Sequence, residues 1–154
     1  MRMSLNVDSL GHILKLAEKY PEVSEIEINK AINRSLLRLK REAVLQAPFG
    51  VTGAGRNLRD NWKITLDRFE GSISSGADYA VAVEKGTKPH WVSIEAITPW
   101  AKSKGIPPFL VARSIAKKGT KANPFFSRAI EAAKEGINKE FTDALHNIKT
   151  RVLQ

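Results

Sequence analysis

The side chains able to do chemistry are few and scattered. Three histidines, His12, His90 and His146, stand far apart and share no metal-ligand spacing. There is no cysteine, so thiolate nucleophiles, disulfides and thiolate metal sites are all excluded. Neither H-E-x-x-H nor G-x-S-x-G occurs. Four acids, Asp60, Asp67, Asp78 and Glu84, would share a divalent cation only if the fold gathered them, because they lack the close spacing of a loop site. Glu84, directly before Lys85, reads most simply as a surface charge at a strand end. Gly50 and Gly55 match the glycine spacing of a phosphate-binding loop. Arg56 and Asn57, however, stand where Lys and Ser or Thr are needed, and the loop follows a helical pattern rather than a strand. No catalytic, cofactor or metal residue is therefore assigned, and the chain reads as an interaction protein, not an enzyme.

Charge gives the stronger signal. The formal net charge is +9, from 25 basic and 16 acidic residues. Residues 85–121 hold Lys85, Lys88, Lys102, Lys104, Arg113, Lys117, Lys118 and Lys121 against the single acid Glu95, a net of +7. Such a patch is a solvated face, a surface for an acidic protein, or a contact for phosphates. Two of its segments share one form, Lys85-Gly86-Thr87-Lys88 and Lys118-Gly119-Thr120-Lys121. They are the candidate contact loops, with Trp91 beside the first and Arg56 and Arg59 at the basic end of the glycine-rich loop.

These residues need a scaffold, and 154 residues are enough for one domain with a real core. Asp8 is placed to cap a first helix over about 8–19, ended by Pro21. Ser24 and Glu27 form a capping-box pattern for a second helix running to about residue 46, with the two N-terminal helices spanning 8–46. Residues 47–61 form a glycine-rich loop. Trp62, Ile64 and Leu66 alternate with polar residues as a strand; Gly71 marks a turn; a weak strand follows around Ile73; and Tyr79, Val81 and Val83 give a third. Short spacers make the strands of 62–84 antiparallel. Between 91 and 118 the pattern predicts a helical hairpin, with Ser93 as one cap, Thr98-Pro99 as a second start and Gly105 as a stop. Trp91, Trp100 and Phe109 are expected to pack that hairpin onto the domain. Asn123 caps a last helix over 123–148, Pro124 takes its first position, and residues 149–154 fray. The expected fold is α+β: a small antiparallel sheet covered by long amphipathic helices, with an inserted helical hairpin. No apolar run is long enough for a signal peptide or a membrane span, so a soluble protein made in the cytoplasm is expected.

The order of these motifs carries a resemblance. Ala47-Pro48 precedes a Thr-Gly loop; Leu58-Arg59 follows; then Tyr79-Ala80 through Val83-Glu84-Lys85-Gly86-Thr87-Lys88-Pro89; then Pro124-Phe125-Phe126 ahead of an amphipathic helix. Over about residues 30–145 this resembles the neck and tail-component proteins of long-tailed bacteriophages, the head–tail joining and tail-completion proteins. Ala54-Gly55-Arg56-Asn57 lengthen the loop, and the 91–118 hairpin is longer than in compact members. The resemblance implies a structural virion protein that forms a homo-oligomeric ring, a hexamer or dodecamer. The ring would complete or cap the tail and join it to the head. Its partners would be other neck, portal-adaptor and tail-tube proteins and the DNA in the channel, with no membrane and no cofactor. Its place would be the virion tail or neck, after assembly in the host cytoplasm. Two other readings stay open: a basic nucleic-acid-binding module using the same lysines, and a small hydrolase using Asp60, Asp67 and Glu84.

Overall fold

The computed structural model describes residues 10–48, 52–53 and 56–152. Asp8, the expected first cap, lies outside them. The element order is α1 (Leu10–Lys19), α2 (Pro21–Gln46), β1 (Thr52–Gly53), β2 (Arg56–Asn57), β3 (Trp62–Asp67), β4 (Glu70–Ser75), α3 (Ala80–Lys85), α4 (Ile94–Ser103), α5 (Pro108–Lys118) and α6 (Phe125–Val152). The fold is α+β, mostly helical, with small two-stranded sheets. Two compact units are distinguished: a first of Met1–Glu42, Ile64–Ser74 and Ile130–Gln154, and a second of Ala43–Lys63 and Ser75–Ala129.

In the first unit, α2 begins three residues earlier than the capping-box pattern suggests. Pro21 suits a first helical position because its missing N–H is one the helix would leave free anyway. Ser24 therefore falls inside the helix, fully buried, and its hydroxyl has no hydrogen-bond partner among the described residues. Glu27 does different work. Its buried carboxylate accepts from Lys30 (3.0 Å) and Asn147 (3.1 Å) and lies 3.3 Å from Arg151. This ties the end of α6 to α2, which is why residues 149–152 are helical rather than frayed. Ile13, Ile28 and Ile148 form the core around it, with Ile32, Phe141 and Leu145 packed against them.

Burial raises the Glu27 carboxyl, but its hydrogen bonds to Lys30 and Asn147 and the charges of Lys30 and Arg151 outweigh this and hold it below the ordinary value. A lowered folded value means the stabilisation is present above the ordinary glutamate range and is lost as pH falls through the folded value. Near neutrality Glu27→Gln should therefore cost about 1 kcal/mol, a modest figure because Lys30 and Arg151 are half exposed. Urea titrations at about pH 7 and about pH 3 should show the gap between wild type and variant closing at the acid end.

The turn between β3 and β4 is Arg68-Phe69, not Gly71. A connection this short joins strands only antiparallel. Phe69 takes φ +58, and its N–H donates to the Asn29 side chain at 3.0 Å, while Arg68 pairs with Glu25 at 2.7 Å. Gly71 instead sits within β4, where a Cβ would come within 2.6 Å of Ile32 and Leu36. The glycine is needed so that α2 can cover the strand closely. At Gly136 of α6 a Cβ would lie 2.5 Å from the movable Arg38 side chain, which reaches Glu140 at 3.2 Å.

In the second unit, Trp62 stacks on Phe126 (centroids 5.4 Å apart) and meets Phe125 edge-on (6.4 Å). Phe125 and Leu58 are essentially fully buried, as are the small residues Ala101, Ala112 and Ala129. The glycine-rich loop contains the short antiparallel pair β1–β2, with Thr52 opposite Asn57 and Gly53 opposite Arg56, and β1 lies alongside α4. Helices α4 and α5 form the expected hairpin. The Ser93 side chain caps α4 by accepting from the Ala96 N–H. Thr98-Pro99 does not start a new helix; Pro99 is inside α4, which begins five residues earlier, just after Ser93. Gly105, at φ +67, ends the turn beyond α4.

The expected third strand, Tyr79–Val83, is the helix α3. Alternation of Tyr79, Val81 and Val83 suggests a strand, yet the residue that α3 buries is Glu84, while Val81, three residues before it, is exposed. Alanines at 80 and 82 favour that outcome locally.

Candidate interaction surface

Each Lys-Gly-Thr-Lys segment leaves the C-terminus of a helix. Lys85 ends α3, and Lys117 and Lys118 end α5, where cations complement the helix dipole. Gly86 (φ 70, ψ −179) and Gly119 (φ 69, ψ −161) then turn the chain in the same way, through a conformation essentially reserved for glycine. The two exits meet. Thr87 N–H donates to the Thr120 carbonyl and Thr120 N–H to the Thr87 carbonyl, both at 3.1 Å. The two hydroxyl oxygens lie 3.0 Å apart.

This antiparallel bridge sets Lys88 opposite Gly119 and Lys121 opposite Gly86. A Cβ on Gly119 would lie 2.0 Å from the Thr87 carbonyl oxygen, and one on Gly86 2.5 Å from that of Thr120. The recurrence of the motif thus has a physical cause: each half needs the same glycine to turn and the same threonine to pair. The clasp holds Lys85, Lys88, Lys118 and Lys121 exposed around it, and among the described residues none of them has an acidic partner.

Glu84 is not a surface charge. It is 5 % exposed, and its carboxylate accepts from the Phe126 N–H (2.8 Å), the Ser127 N–H (3.1 Å) and the Ser127 hydroxyl (2.6 Å). It caps α6 from 42 residues away. Asn123, the expected cap, instead accepts from Arg128 at 2.8 Å, and its N–H donates to the Val83 carbonyl at 2.9 Å.

Trp91 follows the first clasp strand. The His90 N–H donates to the Ile115 carbonyl (3.4 Å), and His90 Nδ1 lies 2.9 Å from the Lys88 carbonyl. The chain is thus pinned on both sides of Lys88. Trp91 meets Phe109 edge-to-face, centroids 6.3 Å apart. Both rings were expected to pack inward; Trp91 is 60 % exposed and Phe109 52 %, with the next residue Leu110 and, three residues before Phe109, Ile106 also exposed. Only Trp100 of the three aromatics is half-buried. Helices α4 and α5 pack on each other, and the side chains they bury are small or aliphatic, Ala101 on α4 and Ala112 and Ile115 on α5.

The other candidate residues separate from this group. Arg59 turns inward: its guanidinium donates twice to the Ala47 carbonyl, at 3.1 and 2.8 Å, closing the end of α2. Arg56 is placed in β2 by its backbone, and its side chain is outside the described set. Asp60, Asp67, Asp78 and Glu84 form no metal-binding cluster with one another or with histidine among the described residues. No helix among the described residues is long and apolar enough to cross a membrane.

The second unit carries twelve of the 25 basic residues and only four of the 16 acids, Asp60, Asp78, Glu84 and Glu95. Nearly all of the net charge therefore resides there. Phe109, Leu110 and Ile106 were absent from the sequence-derived site, although the Pro107-Pro108 break ahead of an apolar Phe-Leu pair marks where a helix could start with its large residues outward. No family model, no curated protein and no solved structure matches this chain.

Proposed function

We propose that this chain is a structural subunit of the head–tail junction of a long-tailed bacteriophage. It forms a ring that completes or caps the tail and joins it to the head around the DNA channel. The observation that supports this most is the clasp. A rigid pair of loops displays lysines that have no acidic partner among the described residues, beside an exposed aromatic pair, in the motif order of the neck and tail-completion proteins. Subunits of a ring meet through two different patches, one on each side. A neck ring also meets proteins that are not copies of itself, and a cationic, partly apolar surface suits such a contact. Sedimentation and negative-stain imaging of the purified protein, alone and with tail tubes, should show ring-shaped oligomers. A strict monomer under both conditions would overturn the reading.

The charge of the second unit favours one rival, a nucleic-acid-binding module. The two readings separate by salt. A phosphate-binding module loses affinity with a log–log slope of about −0.9 per neutralised phosphate, so four clasp lysines would give a slope near −3.6. A ring subunit that surrounds DNA without gripping it should bind free duplex weakly and with a shallow slope. Fluorescence anisotropy with a short labelled duplex across a salt series decides this.

A further inference from the structure

Two surface properties coincide on the second unit. One is apolar: Trp91 and Phe109 brace each other edge-to-face while both remain more than half exposed, and Leu110 (52 %) and Ile106 (40 %) are exposed on the same hairpin. Exposed large apolar residues gathered in one place usually mark a contact. The other is electrostatic: every basic residue between 85 and 121 is exposed, and the only acid in that span is Glu95, whose carboxylate is engaged by the Ser93 hydroxyl. We propose that the Trp91–Phe109 face is a docking site for an acidic protein segment that carries large apolar side chains, supplied by a protein other than this one.

The charge excludes the same face of a second copy, because bringing two such surfaces together would set like charges against each other. The aliphatic members argue against nucleic acid: Ile106 and Leu110 neither stack on bases nor neutralise phosphates. The bracing argues against a lipid surface. Two rings held at 65° with the preceding chain pinned by His90 present a fixed shape, which a protein pocket can match and a fluid bilayer does not require. Braced aromatic anchors on a strongly charged unit are the pattern of a protein hot spot, in which a few side chains carry most of the affinity and the charges set partner choice and encounter rate.

The inference rests on the clasp lysines meeting protein, and it does not need the ring itself. The test uses the full chain as bait for an mRNA-displayed library of random peptides, with Trp91→Ala/Phe109→Ala and Lys85→Ala/Lys88→Ala/Lys118→Ala/Lys121→Ala variants as comparison baits. All six positions are exposed, and circular dichroism and urea unfolding confirm that the variants fold. Enriched peptides should be net acidic with at least one large apolar residue. Their affinity should fall at least about tenfold on the aromatic variant, and on the lysine variant by a factor that shrinks with added salt. Enrichment without an acidic bias, equal enrichment on the aromatic variant, no enrichment at all, or displacement of the peptides by lower concentrations of oligo(dT) or phosphatidylserine vesicles would each overturn the proposal. Sedimentation of the same variants keeps the two ideas apart. Peptide binding by a protein that never forms rings would sink the ring and leave the docking site standing.

Discussion

Gly119→Ala should destabilise the protein by about 3 kcal/mol. Two costs add. The backbone conformation of Gly119 lies where a side chain is strained by about 1–3 kcal/mol. The new methyl would also overlap the Thr87 carbonyl oxygen, 2.0 Å away, and that oxygen belongs to backbone that cannot swing aside alone. Relief requires opening the Thr87–Thr120 bridge, whose hydrogen bonds contribute about 1 kcal/mol each. With a urea m-value of about 2 kcal/mol per molar, the unfolding midpoint should drop by about 1.5 M. Gly105→Ala is the control for a positive φ without a close approach. Its φ of +67 is nearly the same, but nothing lies within 4 Å of its would-be Cβ, so it should cost only the strain, about 1 kcal/mol. If the two variants unfold together, the close approach in the clasp is not what the glycine serves.

Removing the Glu84 carboxylate should be of similar size. Glu84→Ala strands the buried Phe126 N–H and takes three charge-assisted hydrogen bonds from the first turn of α6. Losses of this kind cost about 1.5–3 kcal/mol per group when the partner cannot reach water, moderated here because Ser127 is only half-buried. A net loss of about 3 kcal/mol is expected. Glu84→Gln keeps one acceptor oxygen and loses the charge at the positive end of the helix dipole, so about half that cost should remain. Hydrogen exchange gives a local readout: the Phe126 and Ser127 amides should exchange on the order of a hundredfold faster in the alanine variant. Unchanged protection at these two amides would refute the cap.

The contrast between these residues shows what a sequence discloses. The long helices were legible because an apolar stripe of Phe126, Ala133, Ile137 and Ile148 repeats often enough to fix its own period. The glycines at 86 and 119 were visible as a recurrence, but their pairing was not, since it joins strands 33 residues apart. Glu84 was misread for the same reason. Its partner, the start of α6, is 42 residues further on, and nothing near Glu84 announces it. The segment before it, Tyr79–Val83, is too short for alternation and helical spacing to be told apart. At the candidate surface, the charge of residues 85–121 was plain from composition. The outward turn of Trp91 and Phe109 was not, because large apolar residues are read as core unless tertiary packing is known.

The bridge between Thr87 and Thr120 also bears on how this protein can change. Everything from Lys88 to Gly119 leaves and returns through two residues already bonded to each other. The rest of the chain spans the same short gap whatever lies between them. Such a segment behaves as a cassette: its exposed parts can be lengthened or exchanged without stretching the framework that carries it. Contact specificity can then diverge within the cassette while the framework that positions it stays as it is.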